Sequence, residues 1–86
     1  MPPPLRDYQQ PLGFDRKSRS IVNLAMISVL NRPHELKLHV KAALKNGLTK
    51  DEIKEIFLQV AVYAGVPAGI DSFRIAREAF KEMEGG

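Results

Sequence analysis

Ten residues near the middle of the chain, 31 to 40, contain the residue types used in acid–base chemistry. They have the sequence NRPHELKLHV, in which Glu35 precedes His39 by four positions. Side chains four residues apart on a helix can touch, and a carboxylate beside an imidazole orients the ring and favours its charged form. A proton donor can be built in this way. From spacing alone, a helix-stabilising Glu–His pair is the alternative interpretation.

Four other polar residues are candidates for binding a substrate. Arg32 precedes a helix whose free N–H groups attract anions, and a guanidinium matches a carboxylate with two parallel hydrogen bonds. Arg19 and Asn23 lie four apart on an otherwise apolar segment, where a buried Asn needs a hydrogen-bond partner. Tyr63 on a second apolar face suits an interface or the rim of a pocket. A solvated Arg32 and a purely structural Asn23 are the alternatives.

Other catalytic or binding chemistries have little support in the sequence. His34 and His39 are five residues apart, about 500° around a helix, so they point to different sides and do not suggest a metal site. There is no Cys, no nucleophile at a recognisable spacing from a base, and no glycine-rich phosphate loop. The residues alone therefore favour no metal site.

The pattern of apolar residues predicts an all-α domain of four helices. The first runs from Asp15, a good N-cap, to Leu30, and the second from Pro33 to Lys45. The third opens with a capping box in TKDE, residues 49–52, and ends at Gly65. The fourth begins near Pro67, with a buried stripe predicted at Ile70, Phe73, Ala76, Phe80 and Met83. Residues 1–14 form a Pro-rich extended arm, and residues 15–86 form the helical domain.

The two most apolar helices carry more apolar surface than a small monomer can bury. The first is apolar on nearly every side, and the third has a second apolar face at Leu58, Val62 and Tyr63. We therefore expect a homo-oligomer. The net charge of +3 is spread along the chain, which disfavours nucleic-acid binding. No apolar run approaches the ~20 residues of a membrane span, and no signal pattern opens the chain, so the default location is the cytoplasm.

Three segments resemble the carboxymuconolactone decarboxylase family, which shares its fold with alkylhydroperoxidase D-like proteins. They are DRKSRSIVNLAMISVLNR, ELKLHVKAALKNGLTKDEIKE and LQVAVYAGVPAGIDSFRIA, within residues 15–80. The resemblance implies a ring-shaped homo-oligomer, a trimer or hexamer. The two Cys of the alkylhydroperoxidase D-like branch fall on Arg32 and Glu35, and its upstream Glu falls on Ser20. Its His falls on His39. Disulfide chemistry is thereby excluded, because the thiolate is missing.

The resemblance also implies an activity and roles for the candidate residues. The activity is cofactor-free loss of CO2 from 4-carboxymuconolactone, giving 3-oxoadipate enol-lactone in protocatechuate catabolism. His39 is then the proton donor and Glu35 its orienting partner. Arg19 and Arg32 bind carboxylates, and Tyr63 is a wall of the site.

Two other functions remain open at this stage. The chain could be an inactive helical oligomerisation module of the same family, because it carries a short arm where members usually have further helical sequence. It could also be a family enzyme that acts on a different small organic acid.

Overall fold

The computed structural model describes residues 13–85, which form four α-helices and, within that range, no strand. They are α1 (Arg16–Val29), α2 (Pro33–Lys45), α3 (Lys50–Ala64) and α4 (Val66–Met83). The all-α prediction is confirmed. Most of the predicted arm, including Leu5, Tyr8 and Leu12, lies outside the described residues, so the division at residue 15 stays a prediction.

The helix ends follow the signals in the sequence. The Asp15 carboxylate accepts a hydrogen bond of 2.7 Å from the backbone N–H of Ser18, which caps α1. At the start of α3, the Thr49 hydroxyl accepts from the Glu52 N–H at 3.0 Å, and the Glu52 carboxylate accepts from the Thr49 N–H at 2.9 Å. Gly47, with φ of 100°, turns the chain out of α2. The predicted N-cap and capping box are therefore confirmed.

Each helix has two principal neighbours, and the four close around one core. Helices α1 and α4 both pack against α2 and α3, while α1 and α4 touch only weakly across the centre. The buried apolar side chains form one cluster contributed by all four helices and by Leu48. Phe57 lies at its centre and meets Phe73 edge-to-face, with ring centroids 6.2 Å apart. The buried hydroxyls of Ser28 and Ser72 donate to backbone carbonyls of their own helices.

The buried stripe predicted for α4 is wrong in part, because the helix is rotated from that orientation. Ile70 is 61% exposed, and Phe73 and Met83 are also exposed. A Cβ added to Gly69 would lie 2.5 Å from the Cβ of Ala61, so these two positions bring α4 and α3 together. This close approach turns Ile70, one position along the helix, towards solvent. The buried side of α4 consists of Gly69, Ser72, Ile75, Ala76, Ala79 and Phe80.

Much apolar surface remains uncovered on the single chain. Helix α1 buries fully only Leu24 and Ser28. The exposed large apolar side chains of α1 and α3 are Ile21, Val22, Met26, Val29, Leu58, Val62 and Tyr63. The structure thus bears out the excess of apolar surface on which the expectation of an oligomer rests.

Replacing Gly69 with Ala should destabilise the fold. The new methyl group would collide with Ala61, including its Cα at 3.0 Å, so the backbone must move. Overpacking costs ~1–3 kcal/mol, against a gain of ~1 kcal/mol from the higher helix propensity of Ala. A net loss of ~1 kcal/mol corresponds to a Tm lower by about 4–8 °C in a chain of this size. Calorimetry on Gly69→Ala tests this, and Ala61→Gly in the same chain should recover part of the loss. A Gly69→Ala protein as stable as wild type would contradict the packing.

Glu82 ties the end of α4 to α2. Its carboxylate accepts hydrogen bonds from the Nζ atoms of Lys37 at 2.8 Å and Lys41 at 2.6 Å. The hydrogen bond from Lys37 and then that from Lys41 lower the pKa of Glu82 to about 2, from an ordinary 4.5. Because the pKa is lowered on folding, the stabilisation is complete above pH 4.5 and is lost as the pH falls towards 2.

Glu82→Gln should therefore lower Tm at pH 7, and its difference from wild type should shrink as the pH falls through this window. Thermal unfolding at several pH values measures the effect. Glu78→Gln is the matched control, because it removes the same charge from α4 while leaving both lysine contacts in place. Identical behaviour of the two variants at every pH would show that the Glu82 pairs do not hold α4 to α2.

Candidate active site

A polar cleft opens where the first turns of α1 meet the end of α2. It has a volume of about 240 Å³ and is lined by Arg16, Arg19, Ser20, Asn23 and Asn46. The Asn46 side-chain N–H₂ donates to the Ser20 hydroxyl at 3.0 Å. This contact joins the start of α1 to the end of α2 and fixes the two helices as antiparallel neighbours.

The cleft is positively charged. Of the described residues that line it, two carry guanidinium groups and none is acidic. The Nε–H of Arg19 is shielded from solvent, and no group within residues 13–85 accepts a hydrogen bond from it. A lining with two guanidinium groups and no acidic residue is suited to an anion. The nearby carboxylate of Asp15 is committed to Ser18, whose hydrogen bonds hold its pKa below the ordinary value.

His39 lies on the same flank of α2 as the cleft. Asn46 marks the side of α2 that faces α1, whereas Lys37 and Lys41 mark the side that faces α4. His39 precedes Asn46 by seven residues, which returns it to nearly the same angle and places it ~10 Å along the helix. Its side chain is half-buried. The imidazole therefore lies along the boundary between α1 and α2.

The antiparallel register gives the level of His39 on α1. Because Ser20 lies beside Asn46, His39 is level with Ile27, one turn beyond Asn23 or ~6 Å further along the axis. Ile27 is half-buried and packs on the core. By this register, the row of α1 side chains that begins at the charged cleft continues past Asn23 to the level of His39. We call the line from Arg16 to His39 the α1–α2 seam.

Glu35 contacts Arg32 rather than His39. The Arg32 Nη1 atom donates to a Glu35 carboxylate oxygen at 3.4 Å, and both side chains are more than half exposed. The hydrogen bonds within residues 13–85 include none between Glu35 and His39. The Arg32 contact is long and solvated, so it holds the carboxylate weakly. Glu35 is one turn before His39, within reach after a change of rotamer, and its orienting role stays a prediction.

The two arginines predicted to bind carboxylates lie at opposite ends of the helix pair. Arg19 lines the cleft beside Asn46, whereas Arg32 is the N-cap of α2, fourteen residues before Asn46. At 1.5 Å per residue these positions are ~20 Å apart. Within one chain a small acid cannot contact both, and the arginine that joins Arg19 is Arg16.

Tyr63 lines a different depression. An apolar groove of about 680 Å³ lies between α1 and α3, with Ile21, Ala25 and Val29 on its α1 wall and Tyr63 on the α3 side. The polar cleft occupies the opposite flank of α1. Tyr63 is 84% exposed. The structure therefore does not bring Tyr63 together with Arg19, and its role as a wall of the site stays a prediction.

Sequence reasoning missed two residues of the cleft. Arg16 stands one turn before Arg19, a spacing that places both on one side of a helix. Nothing in the sequence marks Asn46 as a site residue, because its contact with Ser20 depends on how two helices pack. The sequence therefore indicates Arg16 through its spacing from Arg19, but it gives no indication of Asn46.

Two further features are not found in the part of the chain that the structure describes. No three His, Cys, Asp or Glu side chains within residues 13–85 are grouped as metal ligands would be. No helix in that range combines the length and apolar character needed to cross a membrane.

Comparison with known proteins places this helical unit in a family. The carboxymuconolactone decarboxylase family matches residues 6–78, which include the α1–α2 seam and begin inside the segment interpreted as an arm. One relative is the 4-carboxymuconolactone decarboxylase of Acinetobacter baylyi, 42% identical over 71 residues that cover 83% of this chain and 53% of the relative.

Two other relatives show a similar extent of likeness. The nitrosuccinic acid decarboxylase of Metarhizium robertsii is 38% identical over 76 residues, 88% of this chain and 52% of that protein. An uncharacterized 15.0 kDa protein of Paracoccus denitrificans is 34% identical over 75 residues, 84% of this chain and 55% of that protein. The chain thus spans about half the length of the curated relatives it matches. On the match of the family to most of its residues, the chain belongs to the carboxymuconolactone decarboxylase family.

Proposed function

We propose that this chain is a carboxy-lyase that removes CO₂ from a small organic acid without a metal or organic cofactor. The proposed substrate is 4-carboxymuconolactone and the product 3-oxoadipate enol-lactone, a step of protocatechuate catabolism in the cytoplasm. The observation that supports the proposal is a cleft with two guanidinium groups at the end of α2, and helix geometry puts the half-buried His39 on the same flank of that helix. The names of two relatives, both decarboxylases, support the reaction type.

The reaction requires the protein to supply positive charge and one proton. The bond from the carboxylate carbon to the lactone ring breaks, and CO₂ leaves. The electron pair of that bond moves through the ring double bond into the lactone carbonyl. A proton then adds to the ring carbon next to that carbonyl. The protein must hold the acid, stabilise the developing negative charge and supply the proton.

The seam contains side chains suited to these tasks. We propose that His39 donates the proton and that Glu35 orients its imidazole ring. Arg19 binds a substrate carboxylate through charge-assisted hydrogen bonds. Arg32 and Tyr63 retain their proposed roles as a second carboxylate binder and a wall of the site, but the geometry of one chain supports them less. Arg32 is ~20 Å away along α2, and Tyr63 is on the other flank of α1.

A different small acid is the second candidate, favoured by the relative that acts on nitrosuccinic acid. A nitro group, like an unsaturated lactone, accepts the electron pair left by CO₂, so the same side chains would serve. The third candidate is an inactive helical oligomerisation module. Assays of CO₂ release from both acids distinguish these cases, because the module would release none from either.

We further propose that the chain acts as a homo-oligomer, a trimer or hexamer in a ring. Support comes from the apolar groove between α1 and α3 and from the exposed side chains beside it, of which Val62 is 68% exposed. Contiguous apolar surface of this kind marks an interaction site.

His39→Gln should reduce turnover by about 10²–10⁴-fold, as expected for loss of a general acid. The half-buried position and the amide replacement predict a folded, correctly assembled protein with unchanged substrate binding. The measurements are CO₂ release from 4-carboxymuconolactone and Tm for the same preparation.

His34→Gln is the matched control, because His34 is exposed on another side of α2 and should be dispensable. A purely structural His39 would instead lower Tm by losing a buried contact, with full turnover of the folded fraction. A stable His39→Gln protein with full activity would remove His39 from the mechanism.

Light scattering at micromolar concentration should show an oligomer whose size is a multiple of three. Val62→Glu, which puts a charge on the exposed apolar face of α3, should dissociate it because burying an unpaired charge is unfavourable. Lys54→Glu, at an exposed polar position of the same helix, should leave the size unchanged. A folded wild-type monomer under these conditions would refute the assembly.

A further inference from the structure

We propose that the polar cleft is a subsite for the carboxylate that the substrate keeps, and that it makes the site selective for diacids over monoacids. The inference rests on the proposed decarboxylase function and deepens it. It adds Arg16, Ser20, Asn23 and Asn46 to the binding machinery, with Arg19 as the central residue.

The charge of the cleft favours a retained carboxylate over a departing one. During decarboxylation the negative charge leaves the reacting carboxylate and enters the electron acceptor, while CO₂ departs neutral. Two guanidinium groups on that carboxylate would stabilise the ground state more than the transition state and slow the reaction. Two guanidinium groups on a carboxylate that keeps its charge bind the ground state and the transition state equally, and they hold the acid in place. The cluster of Arg16 and Arg19 fits the second task.

The free hydrogen-bond donors of the cleft match one carboxylate. Arg16 and Arg19 bring guanidinium N–H groups to the lining of the cleft. Asn46 uses one amide N–H on the Ser20 hydroxyl, which leaves its second N–H and the hydroxyl proton available to an anion. A carboxylate supplies two acceptor oxygens for these N–H and O–H groups.

The position of the cleft at one end of the α1–α2 seam allows it to hold one end of the substrate. Along the helix axis, His39 lies ~10 Å from Asn46 and ~6 Å beyond Asn23, at the level of Ile27. A diacid anchored in the cleft would extend along the seam and place its second carboxylate near the imidazole, where the less polar surroundings favour loss of charge. A monoacid held in the cleft would leave that position empty.

The substrates named for two relatives have this form. Nitrosuccinic acid is a diacid with a nitro group, and 4-carboxymuconolactone is a diacid with an unsaturated lactone. Each loses one carboxylate, keeps the other, and carries its own electron acceptor. The shared part that the protein can recognise is the carboxylate that remains.

The test is an NMR titration of the whole chain with two unreactive acids, succinate and propionate, at constant ionic strength set with chloride. Both acids should shift the side-chain amide signals of Asn46 and the Nε–H signal of Arg19. Succinate alone should also shift the ring signals of His39. Arg16→Gln should weaken the binding of both acids by about tenfold or more, as for loss of a charge-assisted hydrogen bond. Arg77→Gln, which removes an exposed charge from α4, is the control and should bind as wild type does.

Steady-state kinetics give an independent second readout. Arg16→Gln should raise KM for the reactive diacid and leave kcat nearly unchanged, because the lost contact is made equally in the ground and transition states. The inference is overturned if neither acid shifts the cleft signals or if Arg16→Gln binds the acids as wild type does. It is also overturned if a titration with chloride alone shifts the cleft signals equally. Binding is measured without turnover, so an inactive protein that still binds succinate in the cleft would refute the proposed function alone. An active protein with silent cleft signals would refute this inference alone.

Discussion

The position of α1 between α2 and α3 is the constraint on which the rest of the structure depends. Leu24, with no exposed surface, anchors α1 in the core, and Ser28 one turn later is buried with its hydroxyl bonded to its own helix. A helix in such a fold buries only one side in the core, so the two sides that flank it can differ in polarity. One flank, from Arg16 to Asn23, faces α2 and is polar. The other, from Ile21 to Val29, faces α3 and is apolar.

The two flanks of α1 therefore differ in the interactions that they can make. The polar flank supplies guanidinium groups and amides to the seam with α2, where the antiparallel register places His39 in line with the cleft. The apolar flank leaves Ile21 and Val29 exposed, and this is the surface through which we propose that copies of the chain associate. The proposed chemistry and the proposed assembly thus use different side chains of the same short helix. On the far side of the core, the Glu82 contacts and the Gly69–Ala61 approach hold α4 against α2 and α3.

The helices and their ends could be predicted from the sequence because the signals are local. A cap such as Asp15, or the box at Thr49, acts within one turn. The rotation of α4 could not be predicted, because several of its faces carry apolar residues, and a contact with α3 at Gly69 selects among them. For the candidate site, residue type alone singles out His39 and Arg19, whereas the grouping of Arg19 with Arg16 and Asn46 depends on helix packing. The spacing of Glu35 and His39 permits contact, but Arg32 is also within reach and takes the carboxylate.

The central claim is that the α1–α2 seam binds the acid, with a carboxylate at Arg19 and the reacting end near His39. A crystal structure of this chain with an unreactive diacid tests it most directly, because it locates both carboxylates at once. The account predicts one carboxylate within hydrogen-bond distance of the guanidinium groups of Arg19 and Arg16, with the other end of the molecule directed along the seam towards His39. A diacid seated instead in the groove between α1 and α3, against Tyr63, with the cleft free of it, would contradict the account.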